Sequence, residues 1–266
     1  MGNSPTHLTL ITGATSGIGY ELAKLFARDH HDLVLVARNA EKLAQIVRDF
    51  EAHYGIRVRV MVRDLAAPSA AREIFEELQR DGLTVDTLVN NAGFGVFGLF
   101  AETDLQKNLD LLAVNLTSLT ELTGLFLPPM LKAGRGRILN VASTAGFQPG
   151  PLMSVYYASK AYVVSFSEAL AEEVKSGGVT VSCLCPGPTE TQFQQHAGME
   201  RSKLFEHAMI DAATVAEVGY RGMRRGKTLI IPGFRNKLLV QVVRFTPRRL
   251  IPRVVRSMQE QRRKHT

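Results

Sequence analysis

The sequence predicts an α/β protein built as one Rossmann-type domain, a doubly wound parallel sheet of about seven strands with helices on both faces. Three observations carry this. Apolar runs rich in Val, Leu and Ile recur along the 266 residues and alternate strictly with helix-periodic segments, the pattern of strands covered on both faces by crossover helices. A hydrophobic share of 45% against 21% charged residues suffices to bury a large core and excludes a disordered body. No internal repeat or low-complexity linker interrupts the order, so one domain is expected although the length alone would also suit two.

Strands are expected near 8–12, 33–37, 57–62, 86–90, 136–142, 179–185 and 228–231, each a short apolar run bounded by polar or glycine positions. Helices are expected between them, near 17–29, 40–53, 69–80, 104–132, 155–176 and 214–224. The stretch from Pro186 to about Asp211 is too long for an ordinary strand-to-helix connection and reads as a lid or binding loop. This divides the chain into a body over 1–233, with a substrate loop over 188–212, and a C-terminal extension over 234–266.

The first strand runs into Thr12-Gly13-Ala14-Thr15-Ser16-Gly17-Ile18-Gly19 and then a helix. Glycines there permit a tight turn and close backbone approach, so a pyrophosphate can rest on the free amides of the helix N-terminus. Further along stand Asn90-Asn91-Ala92-Gly93 after the fourth strand, Asn115 on the next helix and Ser143 after the fifth strand. Tyr156 and Lys160 follow at YxxxK spacing, and Pro186-Gly187-Pro188-Thr189-Glu190-Thr191 follows the sixth strand. By contrast, Gly222 to Thr228 mimics a phosphate loop but has one residue too few between its glycines and precedes a strand.

In this order the motifs resemble those of the short-chain dehydrogenase/reductase family along nearly the whole chain. The resemblance implies an oxidoreductase of CH–OH groups with NAD(P) as acceptor (the class EC 1.1.1.-), acting in lipid metabolism or carbonyl reduction. It makes Tyr156 the acid/base. Lys160, one turn on and on the same helical face, would lower the tyrosine's pKa and bind the nicotinamide ribose. Ser143 would hydrogen-bond the substrate oxygen, and Asn115 would order a water leading from the lysine to solvent. Tyr157 could share the face of Lys160 by spacing alone; the family pattern chooses Tyr156 and leaves Tyr157 as packing. Thr144 and Ser154 are rival hydroxyls to Ser143. A nucleotide-sensing relative without turnover would be expected to lose the Tyr or the Lys, and this chain keeps both.

The same resemblance assigns the cofactor to Gly13, Thr15, Ser16, Gly17, Ile18 and Gly19, to Asn91, Ala92 and Gly93, and to Tyr156 and Lys160. Pro186, Gly187, Thr189 and Thr191 would meet the nicotinamide carboxamide, with Thr191 alternatively a turn or cap residue. Arg38 closes the second strand where a carboxylate would hold the ribose 2′-OH of NAD. NADP(H) is therefore expected, with NAD(H) as the lesser cofactor, unless Arg38 is only a solvated strand-end charge. Asp64 and Leu65 would contact adenine, and Asp64 also suits a helix cap. The apolar loop residues Phe193, Met199, Leu204, Phe205 and Met209 suit a hydrophobic ketone, aldehyde, 3-oxoacyl, retinoid or steroid-like substrate, or a lid that packs shut.

Cys183 and Cys185 lie two apart on one strand and read as small core residues in a reducing, cytoplasmic setting, with no metal site expected. The N-terminus shows no secretory pattern, and Gly2 with Thr6 fits only a loose myristoylation pattern. Residues 1–220 hold 18 Lys/Arg against 24 Asp/Glu, whereas 221–266 hold 14 against Glu260 alone. In that basic tail Leu238, Val242 and Phe245 share a helical face, with Leu239 and Val243 beside them, until Pro247 breaks the helix. Leu250, Ile251, Val254, Val255 and Met258 then resume at helical spacing among arginines, with Pro252 near the start. Neither segment nears the ~20 apolar residues of a membrane span. The tail is expected to contact an anionic membrane surface or to dock on the body or a sister subunit of a dimer or tetramer. No specific nucleic-acid partner is expected.

Overall fold

The computed structural model describes residues 7–193, 197 and 209–260. The myristoylation pattern at Gly2 and Thr6, the loop residues Met199, Leu204 and Phe205, and the last basic residues from Arg262 onward lie outside the described residues.

Among the described residues nine strands occur in chain order: β1 (Leu8–Thr12), β2 (Asp32–Ala37), β3 (Val58–Val62), β4 (Thr87–Asn90), β5 (Gly136–Val141), β6 (Val179–Leu184), β7 (Thr189–Glu190), β8 (Ile210–Asp211) and β9 (Leu229–Ile230). All but β7 and β8 join one parallel sheet in the order β3-β2-β1-β4-β5-β6-β9. The order reverses between β1 and β4, and such a switch point opens a crevice at the carboxyl ends of the strands. The glycine turn, Asn90–Gly93, Ser143 and Pro186–Thr191 lie at that edge, and Asn115, Tyr156 and Lys160 on the helices beside it.

The helices are α1 (Gly17–Arg28), α2 (Ala40–Tyr54), α3 (Ala70–Arg80), α4 (Leu105–Leu112), α5 (Leu119–Lys132), α6 (Ser154–Glu173), α7 (Ala212–Arg224), α8 (Phe234–Phe245) and α9 (Ile251–Gln259). Strand residues alternate between two cores. Ile11, Leu33 and Leu35 face α1, α2 and α7 with Phe26, Phe50 and Tyr220, while Leu10, Val34 and Leu88 face α3, α5 and α6 with Ile74, Phe126 and Leu170. Such two-sided burial is why the strands read as continuous apolar runs. The stretch Leu105–Lys132 is long and apolar enough to cross a membrane by length and composition, but here Leu122, Phe126 and Met130 are buried against the sheet.

Within the body the structure departs from the sequence reading in three places. The expected single helix over 104–132 contains a π-helical turn, Ala113–Ser118, a widening that periodicity does not encode. The helix expected to start near 214 starts at Ala212, because Asp211 caps it with Oδ1 accepting from the Thr214 amide at 2.7 Å. The loop 188–212 is tied at both ends by the parallel pair β7 and β8, with Thr189 opposite Ile210, a pairing too short to leave a sequence signal.

The tail folds back on the body. Ile251 and Val255 are buried with Ala145, Met153 and Tyr157, and Val240 is buried on α8. Gln259 Nε2 donates to the Tyr157 hydroxyl. The sequence grouped Leu250, Ile251, Val254, Val255 and Met258 together; α9 instead divides them, with Ile251 and Val255 inward and the other three exposed.

Candidate active site

The glycine turn is held by its neighbour across the switch point. Asn91 Nδ2 donates to the carbonyls of Thr12 at 2.9 Å and Gly13 at 3.1 Å, and Thr12 Oγ1 accepts from the amides of Asn91 and Ala92, each at 3.0 Å. Gly13 has φ +66°, and a Cβ there would lie 2.9 Å from both Ala92 Cα and Asn91 Nδ2. Only glycine fits both the left-handed backbone and the close approach. The result is a bare backbone cradle at the N-terminus of α1, suited to a pyrophosphate. Thr15, Ser16, Gly17 and Ile18 line the same cavity, and Gly19 packs on Asn91 behind it.

At the adenosine end Arg38 is 77% exposed, with Nη1 4.0 Å from Asp64 Oδ2. Asp64 also accepts from the Ala66 amide at 3.0 Å, so it acts as a turn cap while Leu65 is buried beside it. The glycine turn itself, Thr12 to Gly19, holds no basic residue. Lys42, on the first turn of α2, and Arg63, after β3, line this end of the cavity with Arg38 and Asn39. Their spacing from the glycine motif gave no signal, because the convergence of β2, α2 and β3 brings them together.

Ser143, Tyr156, Lys160 and Asn115 converge at the far end. Ser143 follows β5 in extended conformation, where its Oγ accepts from the Ala145 amide at 3.1 Å and donates to the Pro186 carbonyl at 3.4 Å, beside the Tyr156 phenol. Lys160 is buried and Nζ donates to the Val141 carbonyl at 2.9 Å, 5.8 Å from the centre of the Tyr156 ring. The π-helical turn brings Asn115 Nδ2 to the Phe94 carbonyl and Ser159 Oγ, each at 3.1 Å, while Oδ1 accepts from the Phe94 amide. A Cβ on Gly93 would lie 3.0 Å from Asn115 Oδ1 and 3.4 Å from Lys160 Nζ. Behind this cluster a buried relay runs from Asn90 to Asn140 to Ser167, at 2.9 Å for each step.

The protonation balance differs from the sequence expectation. Burial pushes the Tyr156 phenol well above its ordinary pKa, opposed by the neighbouring Ser143 hydroxyl and reinforced by Tyr157. The expected lowering by Lys160 does not prevail, because the ammonium lies over the ring and low-dielectric surroundings penalise the phenolate. Burial also lowers Lys160 to about 8, with Cys183 and Cys185 pulling the other way. Tyr157 is buried against Met153 and Ala145 and pushed up to about 12 by burial, with Gln259 opposing. It packs in that cluster and also borders the cavity.

One cavity of about 1620 Å³ connects these ends. Pro186, Gly187, Thr189 and Thr191 line it near the glycine turn, and a Cβ on Gly17 would lie 3.0 Å from Thr191 Cγ2. Thr189 turns its Oγ1 back to the Gly187 carbonyl at 2.9 Å. Thr144 is buried and donates its amide to the Pro186 carbonyl at 2.8 Å. The substrate end is walled by Phe97, Met153, Phe193 and, from the tail, Leu239, Ser257 and Met258. The tail's share in this wall was not legible in the sequence, since nothing in a basic amphipathic pattern says which surface its inner face meets.

Residues 7–202 match the family model described as short chain dehydrogenase. The chain is 33% identical over 223 residues to a very-long-chain 3-oxoacyl-CoA reductase of Anas platyrhynchos, covering 82% of this chain and 70% of that one. It is 32% identical over 212 residues to the ketoacyl reductase HetN of Nostoc sp., covering 76% and 74%. Among solved structures, a short-chain dehydrogenase from Sphingobium yanoikuyae in complex with NADPH superposes with a TM-score of 0.81 at 30% identity, covering 90% of this chain and 94% of that one.

Proposed function

The chain belongs to the short-chain dehydrogenase/reductase family, and from that premise we propose that it is an NADP(H)-dependent reductase of a hydrophobic ketone, with 3-oxoacyl compounds the leading class. Action on a carbonyl and alcohol pair follows from the family. The observation that carries the finer reading is one cavity lined by the bare glycine cradle and Arg38 at one end and by Ser143, Tyr156 and Lys160 at the other.

The cradle fits the cofactor, because Gly13, Thr15, Ser16, Gly17 and Ile18 line the cavity where the N-terminus of α1 opens onto it, the setting a pyrophosphate favours. Residues 13–19 would hold that group, Arg38 with Lys42 the 2′-phosphate, and Asp64 and Leu65 the adenine. Asn91 to Gly93 and Lys160 would hold the nicotinamide ribose, and Pro186 to Thr191 the carboxamide. An NADP preference rests on Arg38, whose guanidinium suits a phosphate better than a hydroxyl; NAD(H) is the lesser cofactor. When bound, NADPH supplies the hydride.

Tyr156 Oη gives its proton to the carbonyl oxygen as negative charge develops there. Ser143 Oγ donates a hydrogen bond to the same oxygen and so fixes its position. The raised pKa of Tyr156 keeps the phenol protonated until that oxygen needs it, and a protonated Lys160 beside the ring stabilises the phenolate left behind. Asn115 holds the backbone at Phe94 and orients Ser159, which fixes the face on which Lys160 stands.

This reading divides the chain into a catalytic body over 1–233 and an extension over 234–266, assembled as a homo-oligomer in a reducing cytoplasmic setting. Its test is a panel of carbonyl compounds, from short water-soluble ketones to long-chain 3-oxoacyl thioesters and bulky cyclic ketones, with NADPH and NADH and absorbance at the reduced nicotinamide band. NADPH consumption that grows with substrate hydrophobicity is expected. Binding of NADPH without turnover of any carbonyl would overturn the reading.

A further inference from the structure

The tail leaves an apolar face uncovered. On α8, Phe234, Leu238, Val242 and Phe245 stand at intervals of four, four and three residues and are 78%, 54%, 52% and 87% exposed. On α9, Leu250, Val254 and Met258 repeat at intervals of four and are exposed too. This face is not the tail's means of attachment, since Val240, Ile251, Val255 and Gln259 already dock its opposite face on the body. Seven exposed large apolar side chains on two consecutive helices mark an interaction surface.

Charge identifies the occupant. Arg235, Lys237, Arg244, Arg248, Arg249 and Arg253 are exposed around the stripe, and among the described residues the tail's ion pair is that of Arg256 with Glu260. A second copy meeting this face through a two-fold axis would bring the same arginines against themselves. Nucleic acid would use the arginines but has no need of the protruding phenylalanines. A bilayer with anionic lipid uses both, the apolar side chains entering the acyl boundary and the cations meeting the headgroups.

The stripe also reaches the active-site mouth, since Leu239 and Met258 are exposed on the tail and line the cavity together with Ser257. We propose that the outer face of α8 and α9 docks on an anionic lipid bilayer and that a lipophilic carbonyl substrate passes from that bilayer into the cavity between Leu239 and Met258. The docking claim stands on the tail alone. The entry claim rests on the reductase reading.

The test uses the full chain and its Phe234→Ser/Phe245→Ser and Arg248→Gln/Arg249→Gln variants, whose altered residues lie outside the cavity wall. Co-sedimentation with vesicles of phosphatidylglycerol and phosphatidylcholine is compared with phosphatidylcholine alone. The parent chain is expected to pellet with the anionic vesicles in a salt-sensitive manner. Each lost arginine should weaken partition roughly 5-fold, and the double serine variant roughly 10-fold or more. Turnover of a water-soluble ketone should be unchanged in every variant, while turnover of a long-chain ketone carried in anionic vesicles falls in step with binding. Equal pelleting of parent and serine variant, or a parent dimer that the serine substitutions dissociate, would overturn the docking claim. Vesicle binding without turnover of any carbonyl would overturn the reductase reading and leave docking standing. Binding with normal turnover that does not depend on vesicle attachment would overturn the entry route.

Discussion

At the cofactor end, the backbone from Thr12 to Gly13 is fastened to Asn91 and Ala92 by four hydrogen bonds of 2.9–3.1 Å. The substrate end is assembled from Phe97, Met153, Phe193, Leu239 and Met258, distant in sequence and joined by apolar packing. A cradle of backbone and glycine leaves few acceptable side chains, whereas a wall of packed apolar side chains tolerates exchange as long as volume is kept. On the proposed reading, cofactor binding is therefore fixed by the first region and the choice of substrate by the second. Substitutions should separate along that line.

The largest effect is expected at Tyr156, where the two regions meet. Tyr156→Phe removes the proton donor and should lower kcat roughly 10²–10⁴-fold, while a fluorescence titration shows cofactor binding nearly intact. Loss of cofactor affinity in place of kcat would assign Tyr156 to the binding region.

Lys160 should trade stability for chemistry. Its folded pKa of about 8 lies below the ordinary 10.5, so between those values the unfolded chain holds more protons and the stability of the parent rises with pH. Below about pH 8 the full burial penalty applies. Lys160→Met should thus abolish turnover yet raise the unfolding free energy by up to about 3 kcal/mol near neutral pH. In urea unfolding that advantage should shrink as pH approaches about 10. In the parent, kcat/KM for reduction should decline as pH rises through about 8 and the lysine loses its charge. A constant stability gap across pH would show that Lys160 is not buried as a costly cation.

Arg38→Asp should move the ratio of kcat/KM for NADPH over NADH towards NADH by roughly 10–100-fold, the worth of a charge-assisted hydrogen bond. An unchanged ratio would make Arg38 a solvated strand-end charge and transfer the role to Lys42 or Arg63. The smallest effect belongs to Tyr157→Phe, which removes the Gln259 contact but keeps the buried ring. Turnover of a small ketone should stay within about 3-fold, with a larger change in KM for bulky substrates walled by the tail.

The same contrast explains what the sequence made legible. Strand positions come from continuous apolar runs and the glycine turn from its strand–turn–helix setting, both set within a few residues, whereas Asn91, Ser143, Tyr156 and Lys160 are assigned by resemblance to family motifs, since spacing alone leaves Tyr157 and Thr144 as rivals. The π-helical turn at Asn115 and the pairing of Thr189 with Ile210 are tertiary choices with no periodic trace. The partnership of Gln259 with Tyr157 joins residues 102 apart, and no local pattern could announce it. The raised pKa of Tyr156 likewise follows from burial, which helical spacing to Lys160 does not reveal.

The account stands on direct hydride delivery at the carbonyl beside Tyr156. Its most direct test supplies NADPH deuterated at both C4 positions of the nicotinamide with a hydrophobic ketone, and reads the alcohol by mass spectrometry. The account predicts one deuterium on the carbinol carbon at every turnover with the parent chain and none with Tyr156→Phe over the same time. Alcohol formed without deuterium at that carbon, or equal labelling by the two chains, would contradict it.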